Sequence, residues 1–411
     1  MINLNVNLFV KSWGNASASI VQLWWRKHGT AILQFGLALM AVLAVLKLSD
    51  EFVRFMWDMG KLPAVDLKFR YKEVHSWFAG ITVYNETNMA VYPPASYVML
   101  WPLLGWIKGI ALARLLWAAI TLVSILSLVY LVVKESGADS SLERVFVALF
   151  PLSMNSTSVA LGNGQPTPLL IAALLAGLLI LQSRNTSWLN DIIATLLILV
   201  ALIKPSISAP FFWIVLFTPG RLRPAILIVS GYIALTLFAA SFQKPDLLSL
   251  VHHWLQNASQ SVGRGYANLH IWLVGAGLQK WILLASLLVL IILGSWIYHY
   301  RSSNIWILIG VTAVASRLWV KHWSQDDLLI LLPMITLFRI AKSNQQANQN
   351  NVIAGTLLAV TILAMLVPHS LQNFPLPWNL LFTIGNPIVW ILILGFLIYY
   401  AGQQRNKKIA Q

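Results

Sequence analysis

An all-α integral membrane bundle of about twelve transmembrane helices is the fold class that this chain predicts, and three observations predict it. Of its 411 residues 58% are hydrophobic and only 10% charged, with a mean hydropathy of +0.73. A soluble domain usually carries about 25% charged residues. Leucine-rich runs recur almost without pause from Thr30 to Tyr400, each close to the length that crosses ~30 Å of hydrocarbon as a helix. The period-two alternation of a membrane barrel is missing. No gap between the runs admits a soluble domain, so residues 1–411 read as one polytopic domain.

Lys11, Arg26 and Lys27 precede the first run, and no small-residue cleavage site follows it closely, which predicts a retained helix over 30–48. Further segments follow at 95–107, 109–133, 144–161, 167–182, 189–203, 207–217, 223–242, 280–298, 304–320, 327–341, 352–367 and 386–401. The basic loops TPGRLRP (218–224), HYRSSN (299–304) and RIAKSNQQANQNN (339–351), with the tail GQQRNKK (402–408), are expected to be cytoplasmic, and both termini with them. Thirteen crossings cannot return the chain to its starting side. Segment 95–107 is short, follows Pro93-Pro94 and is broken by Pro102, so it is expected to insert only partly. Twelve crossings then leave 49–94, 162–166, 204–206, 243–279, 321–326 and 368–385 outside.

The net charge of +15 reads as positive-inside topology, with no nucleic-acid partner. The absence of Cys excludes disulfides, thiolate metal sites and a cysteine nucleophile. A Gly-rich phosphate loop, a HExxH pair and a GxSxG elbow are missing, which excludes P-loop ATPases, zincins and serine hydrolases of the usual pattern. Any chemistry must come from carboxylates, His and basic groups in the outer loops.

Of 13 Asp and Glu, six fall between residues 49 and 94: Asp50, Glu51, Asp58, Asp66, Glu73 and Glu86. Phe69, Val74, Trp77 and Phe78 are spaced to lay an apolar helix face on the membrane surface, with Asp66, Arg70 and Glu73 on the polar face. Such an interfacial helix suits a reaction between a lipid-borne donor and a polar acceptor, or serves as a solvated cap. GNGQPTP (162–168) is a Gly-rich break where Gln165 offers donor and acceptor, or a tight turn with Pro166 starting a helix. In LIKPSISAP (202–210), Lys204 is a costly cation at membrane depth, unless it snorkels to an interface. SRLWVKHWSQDDLLILLP (316–333) gathers Arg317, Lys321 and His322, suited to a phosphate, and Asp326-Asp327, expected to cap the next helix. The loop 243–279 adds His252, His253, Arg264, Tyr266 and His270, whose spacing fits no metal site and whose aromatic company suits a sugar.

In order along the chain, Asp66, Tyr71, Gly80, Tyr84, Tyr92-Pro93-Pro94 and Pro102, then Gly164-Gln165, Lys204-Pro205, and Ser316, Trp319, His322 and Pro333 form a series. This series resembles the polyprenol-phosphate-mannose-dependent mannosyltransferases of the GT-C superfamily, typified by enzymes that extend phosphatidylinositol mannosides. The chain departs from that pattern at Ser316-Arg317, where a Ser-Pro is usual, and at Lys321-His322, where a His pair is usual.

The resemblance implies an inverting hexosyl transfer, from a polyprenyl-phosphate sugar to a glycolipid or glycan acceptor at the extracytoplasmic face of the membrane. Asp66 is then the general base. Lys204, Arg317, Lys321 and His322 serve the donor phosphate, and Gln165, Tyr71 and Tyr92 bind substrate. It implies no metal and no cofactor. The alternative is a transporter or flippase of lipid-linked sugars, suggested by the Gly and Pro breaks and by Lys204, although no internal repeat is visible.

Overall fold

A computed structural model describes residues 31, 34–58, 60, 63–86, 90–183, 187–260, 268–343, 349–368, 371 and 373–409. The predicted features at Lys11, Arg26 and Lys27, at Arg264 and Tyr266, and at residues 344–348 lie outside the described residues. Among those described there is no strand. The order is α1 (34–57), α2 (Val65–Phe78), α3 (Val83–Glu86), α4 (Pro94–Leu104), α5 (Ile110–Glu135), α6 (Ser141–Ser153), α7 (Asn155–Asn163), α8 (Thr167–Gln182), α9 (Trp188–Ala201) and α10 (Pro205–Ser208). Then come α11 (Phe212–Phe217), α12 (Leu222–Ala240), α13 (Leu247–Gln260), α14 (Leu269–Gly275), α15 (Ile282–Tyr300), α16 (Ile305–Trp319), a 3-10 turn (Ser324–Ile330), α17 (Leu331–Lys342), α18 (Gln349–Leu366), α19 (Trp378–Leu380) and α20 (Asn386–Ile409).

Among the described residues, five helices are long and apolar enough to cross a membrane, and seven spans qualify if two bent pairs each count as one. That is fewer than the twelve expected from hydropathy. The reason is length: α16 has 15 residues and α4 only 11, and at 1.5 Å per residue the longer of them covers about 22 Å. Among the five, α5, α12 and α15 turn Leu122, Val123, Leu126, Ile226, Ile233, Leu283, Ile291 and Ile292 outward. Apolar surface on that scale needs lipid to cover it.

Two breaks shape the interior. At the first, α7 ends in a Schellman motif. Gly164 adopts φ +69°, its N–H donates to Leu161 O, and Gln165 N–H donates to Ala160 O at 2.9 Å. At the second, α9 and the pair α10–α11 meet at 118° across Lys204, with Pro205 opening α10, where its missing N–H costs nothing. The turn is fixed from two sides: Ser96 donates to Ile203 O at 2.7 Å, and Ser316 donates to Ile207 O at 2.8 Å.

Helix α2 departs from the expected interfacial cap. Its apolar residues Leu67, Val74 and Trp77 are buried, but so are Arg70 at 6% and Glu73 at 4% exposure. The charged face therefore packs inward against α4, α5 and α7. Trp77 donates to Ala239 O at 3.0 Å, and Gln243 donates back to Trp77 O at 2.6 Å, tying α2 to the end of α12. Two further differences are local. Helix α1 continues past Leu48 to residue 57, so Glu51 and Arg54 ride on its last turns. Helix α4 runs through Pro102 unbroken and stops at Leu104.

Candidate active site

Asp66 occupies the first turn of α2, where a carboxylate favours the helix dipole. The residue before that helix, Ala64, has φ +52° and donates to Gly162 O at 3.0 Å. A left-handed alanine persists only where its surroundings over-determine it. Here they do: Arg114, buried in α5, donates to Asp58 O at 3.0 Å and Pro63 O at 3.3 Å. From the other side, Arg54 reaches Asn163 Oδ1 at 3.2 Å while paired with Glu51. The start of α2 and the end of α7 are thereby locked together.

That lock brings the predicted groups into one cluster. The Gln165 amide hydrogen-bonds the Asp66 carboxyl, and Arg70, Lys204 and Asp326 lie within its electrostatic reach. Lys204 Nζ is 2.6 Å from Asp326 Oδ1, which also accepts from Thr167 Oγ1 at 3.0 Å. His322 Nδ1 is 3.1 Å from Asp326 Oδ2, and its Nε2 is 3.0 Å from Ser316 O. Both ring nitrogens therefore face acceptors, a carbonyl at Nε2 and a carboxylate at Nδ1, and both donate only when the ring carries two protons. Next door, Arg317 Nε is 2.5 Å from Asp327 Oδ1, with its guanidinium 4.4 Å from the Trp390 ring centroid.

Charges here are set by burial against partners. Burial raises the Asp66 carboxyl and outweighs the lowering by Gln165, Arg70 and Lys204. Burial also raises Glu73, to about 7 despite Arg70. For Asp326, burial alone would raise the carboxyl, but Lys204 and His322 prevail and hold it well below the usual carboxylate range. Burial lowers His322, against the raising effect of the Asp326 carboxylate beside it.

Other predicted residues stand apart. Tyr92 lies with its ring centroid 4.2 Å from the Arg70 guanidinium, one side chain removed from Asp66. Lys321 lies over Trp323 at 5.2 Å, on the rim. Tyr71 points elsewhere: its hydroxyl donates to Ile107 O at 2.9 Å and accepts from Gly109 N at 3.0 Å. Asp326, Thr167, Arg70 and Glu73 were not among the predicted site residues. Asp326 does accept from Trp323 N at 3.3 Å as a cap would, but its main partners are Lys204 and His322. Only the unusual placing of a carboxylate beside a Leu-rich run signalled it.

A cavity of about 360 Å³, lined by Asp139, Trp306, Arg339, Lys342 and Tyr400 among others, sits at the far ends of α16 and α17 from this cluster. Its cations are engaged, Lys342 by Asp139 and Glu143, and Arg339 by Glu135 O. The acid–base groups of interest are in the Asp66 cluster.

A helical membrane protein here gathers buried carboxylates and cations from α2, α8, the α9–α10 turn and the α16–α17 link into one cluster. The family model of glycosyltransferase family 87 matches residues 90–304, and the chain belongs to that family. The matched stretch includes Tyr92, Gln165 and Lys204; Asp66 lies before it and His322 after it. No curated protein and no solved structure matches the chain. The protein is an integral membrane glycosyltransferase, with a sugar donor and an acceptor as its substrates.

Proposed function

We propose that the protein transfers a hexose from a polyprenyl-phosphate sugar to a glycolipid or glycan acceptor at the extracytoplasmic face of a membrane, with inversion. Mannose is the sugar that the resemblance implies. The observation that carries this reading is the meeting of Asp66, Gln165 and Lys204 from three separate segments. Asp66 takes the proton of the acceptor hydroxyl as its oxygen bonds to the anomeric carbon. The bond from that carbon to the phosphate oxygen breaks on the opposite side. Polyprenyl phosphate leaves without a proton, since its oxyanion is stable at neutral pH.

A raised carboxyl in a partly dry site is a better base than a free one, and Gln165 orients it. Lys204 has three N–H donors and gives one to Asp326, which leaves two for the departing phosphate. Asp326 fixes the direction of that ammonium. His322 shares the Asp326 carboxylate with it and is held in place by Ser316 O. The polyprenyl chain lies among helices whose apolar residues face lipid, and both termini lie in the cytoplasm.

The test is reconstitution in liposomes with a polyprenyl-phosphate hexose and a glycolipid acceptor. Wild type forms a new glycosidic product and Asp66→Asn reduces turnover by at least about 10³-fold, within the range seen for loss of a positioned base. Unchanged turnover in Asp66→Asn removes the assignment of the base. Movement of donor across the bilayer without a product favours the transporter reading.

A further inference from the structure

Asp66, Arg70 and Glu73 follow one another along a single stripe of α2, at positions i, i+4 and i+7, half-buried at Asp66 and buried at Arg70 and Glu73. Arg70 is 6% exposed and Glu73 4%, and Arg70 Nη1 lies 2.6 Å from Glu73 Oε2. The contact is close but lacks hydrogen-bond alignment: Arg70 Nη1 and both Glu73 oxygens are buried with no hydrogen-bond partner. The guanidinium lies over the Tyr92 ring, 4.2 Å from its centroid, a contact that leaves its N–H groups to other partners. One cation therefore pairs with Glu73 and also lies within electrostatic reach of Asp66.

We propose that Glu73 is a positioning residue that competes with Asp66 for Arg70 and so governs how strongly the Asp66 carboxylate is held. This extends the reading of Asp66 as the base and rests on it. A protonated Glu73 leaves Arg70 to Asp66; an ionised Glu73 draws Arg70 one turn away. A guanidinium cannot neutralise two carboxylates, so the proton content of one depends on the other. The groups around the pair are few. Glu73 faces Arg70, Asp66 and, across α4 and α3, Tyr97 and Tyr84. Asp66 faces Gln165, Arg70, Lys204 and Asp326. Arg70 faces both carboxyls, Tyr92 and Tyr97. Tyr232 of α12 approaches Tyr84, and Arg114 of α5 is occupied by loop carbonyls. No other carboxylate or cation among the described residues bears on Glu73.

The coupling is measurable without sugar transfer. A hydrophobic carbodiimide modifies buried carboxyls only when they are protonated, and mass spectrometry of the full-length protein in detergent reads each site against pH. In wild type the Glu73 midpoint should fall at about 7, raised by burial against the pull of Arg70. Asp66→Asn should lower it by about one pH unit, because Arg70 then serves Glu73 alone. Arg70→Gln should raise the Asp66 and Glu73 midpoints together. An unmoved Glu73 midpoint in Asp66→Asn, or a rise confined to Glu73 in Arg70→Gln, overturns the proposal. Thermal melting of each variant identifies one that fails to fold, and the other then decides. In transfer assays, Glu73→Gln should erase the ionisation near neutrality from the pH–rate profile, and Glu73→Asp should restore it. Retained transfer in Asp66→Asn with intact labelling coupling removes the base assignment alone. Lost transfer without coupling removes the Glu73 proposal alone.

Discussion

Lys204 and Asp326 are 122 residues apart in sequence, and their charged atoms meet at 2.6 Å beneath the surface of the bundle. A buried pair of this kind contributes little net stability but is costly to break from one side. Asp326→Ala strands Lys204 and His322, and should lower stability by about 3–5 kcal/mol. The double variant Lys204→Met with Asp326→Leu should recover much of that loss in thermal melts while transfer stays abolished. Recovery of transfer along with stability would show that the pair is scaffolding.

The pH dependence of stability has a definite sign. Glu73 is raised from an ordinary value of 4.5 to about 7. Between those values the folded state holds a proton that the unfolded chain has released. Stability is therefore fully present below about pH 4.5 and falls by about 1.4 kcal/mol per unit as pH rises through the window. Asp66 is raised in the same direction and adds to the slope. Asp326 acts oppositely, lowered from 3.8, so its contribution is present above that value and lost only below it, outside the window. Melting temperature in detergent should fall from pH 5 to pH 7 in wild type and fall less in Glu73→Gln.

Gly164 cannot become alanine without moving α2. Its φ is +69°, and an added Cβ would meet Leu67 Cβ at 2.6 Å and Phe55 Cε2 at 3.0 Å. Leu67 follows Asp66 directly in the chain. Gly164→Ala should cost about 1–3 kcal/mol in stability and displace Asp66 from Gln165, with a fall in kcat larger than any change in KM. Gly36→Ala, in a helix with nothing within 4 Å of the new carbon, is the matched control and should be neutral or stabilising.

Arg114 secures the strained approach to α2 through the carbonyls of Asp58 and Pro63. Arg114→Lys keeps the charge but loses the planar fork that spans two acceptors. It should lower transfer about tenfold, by analogy with small displacements of a positioned group, and speed proteolysis between residues 58 and 63. Wild-type protease resistance in that variant would mean that the loop holds itself.

Local chemistry made several of these features legible in advance. The Gly-Asn-Gly-Gln-Pro run specified a helix end because only a left-handed residue there lets Gln165 and Gly164 donate back to the preceding turn. Lys-Pro marked a break because proline fits the first turn of a helix and not its middle. The inward turn of Arg70 and Glu73 was hidden, since a helical charged face reads the same whether it meets water or a partner. Hydropathy reports apolar runs without their depth, so it does not by itself fix the number of crossings. Short segments such as α4 and α16 are apolar because other helices surround them.

By itself the sequence determined that the chain is a helical membrane protein, where its helices break, and which few charged residues stand against so much hydrocarbon. Composition and period decide such matters residue by residue. Only the tertiary structure decided that Asp66, Gln165, Lys204, His322 and Asp326 meet, and that Tyr71 does not join them. Convergence of that kind depends on how helices cross and which backbone groups clamp their ends. Those are contacts between residues hundreds of positions apart, which no local pattern encodes.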